Sequence, residues 1–183
     1  MDLQYPIGKF AWGRSGEGLL ASEAERQQWI AEIESTPGRL RAAVSGLPEA
    51  QLDTPYRPGG WTVRQVVHHL PDSHMNSYVR FRLALTENEP TIKPYDEGRW
   101  AQLSDARTAP AEVSLTLVES LHQRWVSLLR SLEPEDFSRV FKHPELGRVT
   151  LERNLALYAW HGKHHVAHIV NLRTRSGWSG ARA

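Results

Sequence analysis

The sequence predicts an all-α protein, a bundle of four long helices with a long loop between the second and third helices. Three observations predict it: apolar residues recur at helical spacing in four segments, capping residues precede three of them, and few stretches alternate like strands. The length of 183 residues and the 40% apolar content suit a single domain, residues 1–183. Residues 1–20, rich in Gly and aromatics without a period, are expected to form an arm that packs over the body.

The first helix is predicted from its start signal. Ser22 and Glu25 have the spacing of a capping box, and apolar residues recur at helical spacing as far as Val44. A Pro-Gly pair at residues 37–38 interrupts this pattern, so we expect the helix to be kinked or split there. Turn formers dominate residues 46–60, which predicts a loop.

The second helix is also predicted from a capping box at its start. Thr62 and Gln65 have capping-box spacing and predict a helix from about Thr62 to Thr86. Pro71 lies inside it, and we expect a kink because proline has no N–H to donate to the preceding turn. A long loop is then predicted for residues 87–109. Loops of this length in a compact domain tend to be functional or mobile.

The third and fourth helices complete the bundle. Pro110 suits the first position of the third helix. A small hairpin or an irregular loop is predicted for residues 133–149. Thr150 is expected to cap a fourth helix that runs to about Arg175, with Gly177 at its stop. Bundles of this kind place metal and cofactor sites in the core, on facing helices.

Composition excludes several classes of function. Lys and Arg number 22 against 21 Asp and Glu, a net charge of +1 that gives no bias toward nucleic acid. The absence of cysteine excludes disulfides, Cys-ligated zinc, iron–sulfur clusters and a protein thiol nucleophile. No secretory signal and no apolar run of the ~20 residues needed to span a membrane is present, so we expect a cytoplasmic protein with no membrane partner.

Histidines are concentrated in two clusters. Seven of the nine are His68, His69, His74, His161, His164, His165 and His168. On the fourth helix, four of them fall across one arc of about 100°, on the face expected to look into the bundle. Two pairs at i, i+4 could each bind a metal, His161 with His165 or His164 with His168, and the helical angle only mildly favours the first pair.

The second helix is expected to supply the third ligand. His69 shares a polar stripe with Asn76 and Arg80, beside the apolar stripe that faces the core. His68 points about 100° away from it, and His74 falls within the apolar stripe. His69 is therefore the better candidate for a ligand.

A plainer interpretation of these histidines remains open from the pattern alone. A single histidine on a bundle helix is usually an ordinary core or surface residue, and one His-x-x-x-His pair is a weak signal. Two clusters on separate inward-facing helices strengthen the metal hypothesis. His122 and His143 belong to no pattern, and we expect both to be ordinary residues.

Three stretches of the chain form a specific combination: QLDTPYRPGGWTVRQVVHHLPDSHMNSYVRFRLALTE, the loop KPYDEGRW, and LYAWHGKHHVAHI. Together they resemble the YfiT-type branch of the DinB-like superfamily of four-helix bundles, from YPIG near the start to the closing GWS. The resemblance implies one divalent metal per chain, held in the core by His69, His161 and His165, and usually a homodimer. Pro71 departs from the pattern, where we would expect a small helix former.

Such a ligand set predicts a catalytic metal. Three neutral imidazoles leave coordination positions open and suit zinc, which we expect, or nickel, more than calcium or magnesium. Because the resemblance includes S-transferases, the leading hypothesis is a bacillithiol-type transferase, in which the metal activates a low-molecular-weight thiol toward an electrophilic substrate. The alternative is a metal-dependent hydrolase using a metal-bound water. A further alternative is a non-catalytic metal-binding bundle protein.

Three polar residues of the second helix are candidate catalytic groups. Asp72 and Asn76 lie three and seven residues after His69 and could contact a ligand or the substrate. Arg80 could bind a carboxylate or a phosphate as a fork. The plainer interpretations are a solvated residue for Asp72 and a surface ion pair for Arg80. The loop of residues 87–109 could cover the site.

Overall fold

The computed structural model describes residues 2–11 and 21–178. Within them the helices are α1 (Glu23–Val44), α2 (Glu49–Leu52), α3 (Val63–Thr86), α4 (Glu97–Trp100), α5 (Ser104–Thr108), α6 (Ala111–Arg130) and α7 (Leu151–Arg175), with strands β1 (Val140–His143) and β2 (Gly147–Thr150). The long helices α1 and α3 each pack against both α6 and α7. The order around the bundle is therefore α1, α6, α3, α7, and the predicted four-helix bundle is confirmed.

Local capping signals set where the helices begin. Ser22 and Glu25 form a complete capping box at the start of α1, and Thr62 and Gln65 form another at the start of α3. The side chain of Thr150 caps α7. Each cap satisfies backbone N–H groups that have no partner inside the helix, so these starts follow from the sequence alone.

Both internal prolines are accommodated inside continuous helices. Pro37 lies within α1 and Pro71 within α3. Of the two outcomes predicted at residues 37–38, a kink or a split, the split does not occur. Proline cannot donate to the carbonyl four residues earlier, which for Pro37 is that of Ile33. His122 of α6 lies with its Nδ1 2.7 Å from this carbonyl oxygen and supplies the missing donor.

The core consists of two apolar clusters. One contains Phe81 and Trp125, and the other contains Leu70 and Ile169, all essentially without solvent exposure. Burying a side chain of this size contributes about 1.5–3 kcal/mol each. The ring of His74 packs edge-on against Trp125, so a polar side chain of α3 contacts the apolar core here.

The segments that connect the long helices contain short helices and strands. The predicted loop of residues 87–109 contains α4 and α5, and residues 133–149 contain a 3-10 turn (Pro134–Ser138) and most of the hairpin of β1 and β2. The backbone of Lys142 in β1 pairs with Pro90 and Ile92, at 2.8 and 3.0 Å. This pairing ties the long segment to the hairpin.

The N-terminal residues 2–11 contact α7. The carbonyl of Gln4 lies 3.2 Å from Nε2 of His168, and the ring of Tyr5 lies 6.0 Å from that of His164. Residues 12–20, which belong to the predicted arm, lie outside the described residues. No helix in the described part of the chain is both long enough and apolar enough to cross a membrane.

Candidate metal centre

Three histidines converge inside the bundle. His69 projects from α3, and His161 and His165 project from α7, where their i, i+4 spacing places them on one face. One ring nitrogen from each lies within 4.8 Å of the other two. The structure thus brings together the three residues predicted from the sequence: of the two pairs on α7, His161 and His165 are the pair that lies with His69.

The spacing of these nitrogens suits one metal ion. Nε2 of His69 lies 3.3 Å from Nε2 of His161. Two imidazole nitrogens bound tetrahedrally to zinc at 2.0–2.1 Å are about 3.3 Å apart. Buried nitrogen ligands at this spacing therefore suit a bound cation.

The three rings are neutral at physiological pH. Burial lowers the pKa of His69 to about 3, and repulsion from His164 adds to the effect. Burial, reinforced by repulsion from neighbouring histidines, also holds the pKa of His161 and of His165 well below the ordinary value. A neutral imidazole keeps one free lone pair, which is the form that binds a metal.

The histidines open onto a large cavity. Its volume is 1080 Å³, at the upper end for a small-molecule site. Its aromatic walls come from Tyr56, Trp61, Tyr95, Tyr158 and Trp160. The ring of Trp61 lies 4.7 Å from that of His69, centroid to centroid. A substrate in this cavity would therefore reach the three histidines between aromatic side chains and among polar ones.

Two phenols, the buried Tyr158 and the half-buried Tyr95, provide hydrogen-bond donors in the cavity. The hydroxyl of Ser73 donates to the phenolic oxygen of Tyr158 at 3.3 Å. Burial raises the pKa of Tyr158, and burial together with the nearby Tyr158 raises the pKa of Tyr95. Both hydroxyls therefore stay protonated at neutral pH and can donate to an oxygen of a bound molecule.

The three polar candidates of α3 are placed differently. Arg80 lines the cavity, close to His143 at the end of β1. Asp72 and Asn76 are not among the described residues that line it. The side chain of Asn76 donates to the carbonyl of Asp72 at 2.9 Å. Burial and the nearby Asp105 raise the pKa of Asp72 to about 6.

Sequence reasoning missed several residues at the site. Tyr158 lies three residues before His161, and that i, i+3 spacing could have identified it. His74 contacts His161, with Nε2 of His74 3.1 Å from Nδ1 of His161. His122, expected to be an ordinary residue, contacts His74, and His143 lines the cavity. These contacts join separate helices, so no spacing within one helix indicates them.

Comparison with known proteins points to one family. A model of the DinB superfamily matches residues 32–169. A "Putative metal-dependent hydrolase" of Bacillus cereus (strain 03BB102) is 56% identical over 177 residues, which cover 97% of this chain and 99% of that protein. A protein named in the same way from Bacillus thuringiensis subsp. konkukian has the same identity and coverage.

A solved structure shares the fold. It is YfiT from Bacillus subtilis, described as a probable metal-dependent hydrolase with an unusual four-helix bundle topology. The match has a TM-score of 0.91 at 50% sequence identity and covers 98% of this chain and 100% of that chain. Similarity at this level extends over the helices that carry all three histidines.

Proposed function

This chain belongs to the DinB superfamily, and from that premise we propose that it is a metal-dependent hydrolase in which His69, His161 and His165 hold one divalent ion. The observation that carries the proposal is the convergence of three neutral imidazoles, within 4.8 Å of one another, at the wall of a 1080 Å³ cavity. The names of the relatives support hydrolysis as the class of reaction.

The donor set favours particular metals. Three imidazole nitrogens suit zinc, with nickel as the alternative, whereas calcium and magnesium prefer oxygen ligands. Three protein ligands also leave at least one position open, as in catalytic rather than structural zinc sites. An ion bound here supplies Lewis acidity, which lowers the pKa of a coordinated water to about 7.

The residues of the cavity would bind and orient the substrate. Tyr158 and Tyr95 can donate hydrogen bonds to a substrate oxygen, and Arg80 can pair with a carboxylate or phosphate. Among the three polar candidates of α3, Arg80 is the one we propose as a substrate contact. Because Asp72 and Asn76 do not line the cavity, a substitution of either residue would affect the site by shifting α3.

A second candidate is the transfer of an external thiol, bacillithiol-type, to an electrophile. Carboxylates are among the side chains that act as general base in hydrolysis, yet the acidic residues lining the cavity in the described part of the chain, Asp96, Glu97 and Glu145, are all exposed. A thiol on a metal is deprotonated without such a base. The chain has no cysteine, so the thiol would come from a small-molecule partner.

The experiment that tests both candidates is an activity panel on the zinc- and nickel-loaded protein. Model esters, amides and phosphoesters would be assayed without thiol, and alkylating electrophiles with and without a low-molecular-weight thiol. Turnover without thiol supports the hydrolase, and turnover that requires thiol supports the transferase. The matched control is His68→Ala, whose residue is buried but does not line the cavity, against His69→Ala. Metal binding without turnover across the panel would instead favour a non-catalytic bundle protein.

Two further properties belong to the proposal. We expect a homodimer, which light scattering of the purified protein would test. We also expect the protein to reside in the cytoplasm, which fractionation of its host cells would test. Neither property is needed for the chemistry of the three histidines, because all three come from one chain.

A further inference from the structure

Three histidine rings connect a backbone carbonyl of α1 to the candidate metal centre. Nδ1 of His122 lies 2.7 Å from the carbonyl oxygen of Ile33. Nε2 of His122 lies 2.8 Å from Nδ1 of His74, and Nε2 of His74 lies 3.1 Å from Nδ1 of His161. The histidine chain, defined as His122, His74 and His161, therefore runs through α6, α3 and α7.

The carbonyl at one end determines the direction of every hydrogen bond. A carbonyl oxygen only accepts, so His122 must donate from Nδ1. A neutral imidazole has one N–H, so Nε2 of His122 accepts from Nδ1 of His74. By the same logic Nε2 of His74 accepts from Nδ1 of His161. Nε2 of His161 is then left with a free lone pair, and this is the atom that lies 3.3 Å from Nε2 of His69.

Burial keeps the two inner rings neutral. His74 is fully buried and His122 is 2% exposed. Within residues 2–11 and 21–178, their hydrogen-bond partners are each other, His161 and the Ile33 carbonyl, so no carboxylate there compensates a charge on either ring. A charged imidazolium here would be buried without a counter-charge, which is costly.

Pro37 explains why the carbonyl of Ile33 needs a side-chain donor. In an uninterrupted helix this oxygen would accept from the N–H of residue 37. Proline has no N–H, so the oxygen would remain unpaired in the core. His122 satisfies it, and the proline in α1 thereby anchors a hydrogen-bond chain that ends at α7.

We propose that His122 and His74 are positioning residues that hold His161 as its Nδ1–H tautomer, with Nε2 directed to bind the metal ion. The metal part of this inference rests on the proposed function, whereas the tautomer is a property of the metal-free chain. Hydrogen-bond partners of metal-binding histidines fix the ring orientation, and their loss typically weakens metal binding about 10- to 100-fold.

The first test is the tautomer itself. Metal-free wild type labelled with ¹⁵N-histidine would be examined by long-range ¹H–¹⁵N NMR, with His161 assigned from its missing signals in His161→Gln. The expected result is a protonated Nδ1 and an unprotonated Nε2 on His161. In His122→Phe the preference should weaken or disappear. A wild-type His161 protonated at Nε2 would overturn the proposal, whether or not any variant folds.

The second test is zinc affinity, measured by competition with a chelator. His122→Phe should weaken zinc binding about 10- to 100-fold. The matched control is His68→Phe, which also removes a buried histidine with two hydrogen bonds, to Ser114 and to the carbonyl of Ala109. His68 is not part of the histidine chain, so its variant should bind zinc as wild type does.

The two tests separate the inference from the proposed function. Unchanged affinity in a folded His122→Phe variant, checked by circular dichroism, contradicts the positioning role even if wild type binds zinc tightly. Wild type that binds no zinc contradicts the proposed function, and the NMR result then decides the tautomer separately.

Discussion

Arg80 is a charged side chain that shapes what the cavity can bind. It lies half-buried in the wall, and none of the ion pairs in the described part of the chain involves it. A guanidinium without a protein carboxylate partner is available to a substrate anion. The specificity of the site should therefore depend on this residue more than on its neighbours along α3.

Replacing Arg80 gives a prediction at the residue scale. Arg80→Gln should raise the KM of a negatively charged substrate about tenfold or more, because a hydrogen bond to a charged group contributes about 1.5–3 kcal/mol. The KM of an uncharged analogue should change little. The measurement compares a charged and an uncharged model substrate. Arg82→Gln is the control, since Arg82 donates to Tyr78 and does not line the cavity; an equal effect in both variants would contradict the role.

Between elements, α7 approaches α1 closely at a glycine. A Cβ placed on Gly162, one residue after His161, would lie 2.5 Å from the hydroxyl oxygen of Thr36 on α1. Gly38 is also helical, yet a Cβ placed there meets nothing within 4 Å. The two glycines are therefore a matched pair, one required by packing and one not.

The prediction at the scale of elements follows from this pair. Gly162→Ala should lower the free energy of unfolding by about 1–3 kcal/mol, because α1 and α7 must move apart. Gly38→Ala should raise it by about 0.5–1 kcal/mol through the better helix propensity of alanine. Urea unfolding of both variants measures this. A Gly162→Ala variant as stable as Gly38→Ala would show that the helices are not in close contact here.

The sequence predicts features of single elements well and contacts between elements poorly. The caps at Ser22 and Thr62 are local, so they could be located without a structure. The face shared by His161 and His165 follows from helix geometry alone. The role of His122 depends on how α1, α3 and α6 pack together, and no periodicity encodes that. Pro37 looked like a helix breaker because its compensating donor lies 85 positions away in the chain.

On the scale of the whole molecule, buried neutral histidines make stability depend on pH. Burial lowers the pKa of His69 to about 3 and that of His122 to about 4, from an ordinary value of 6.5. In the unfolded chain these rings titrate near the ordinary value. The unfolded state therefore binds more protons below pH 6.5, and acid favours unfolding.

Metal-free protein should accordingly lose stability as pH falls from 6.5 toward about 4. Each such ring lowers the free energy of unfolding by up to about 1.4 kcal/mol per pH unit in that window. Above pH 7 the stability should be nearly independent of these groups. Urea unfolding midpoints at pH 7.5 and 5.5 measure the effect. Equal midpoints would mean that the histidines are not held neutral by burial.

The central claim is that His69, His161 and His165 together bind one metal ion. The most direct measurement is the metal content per chain, by elemental analysis, of wild type and His69→Ala after stripping and reloading with zinc or nickel. We predict about one ion per wild-type chain and nearly none in His69→Ala, with the helical signal retained. Wild type without metal, or a variant that keeps its full content, would contradict the claim.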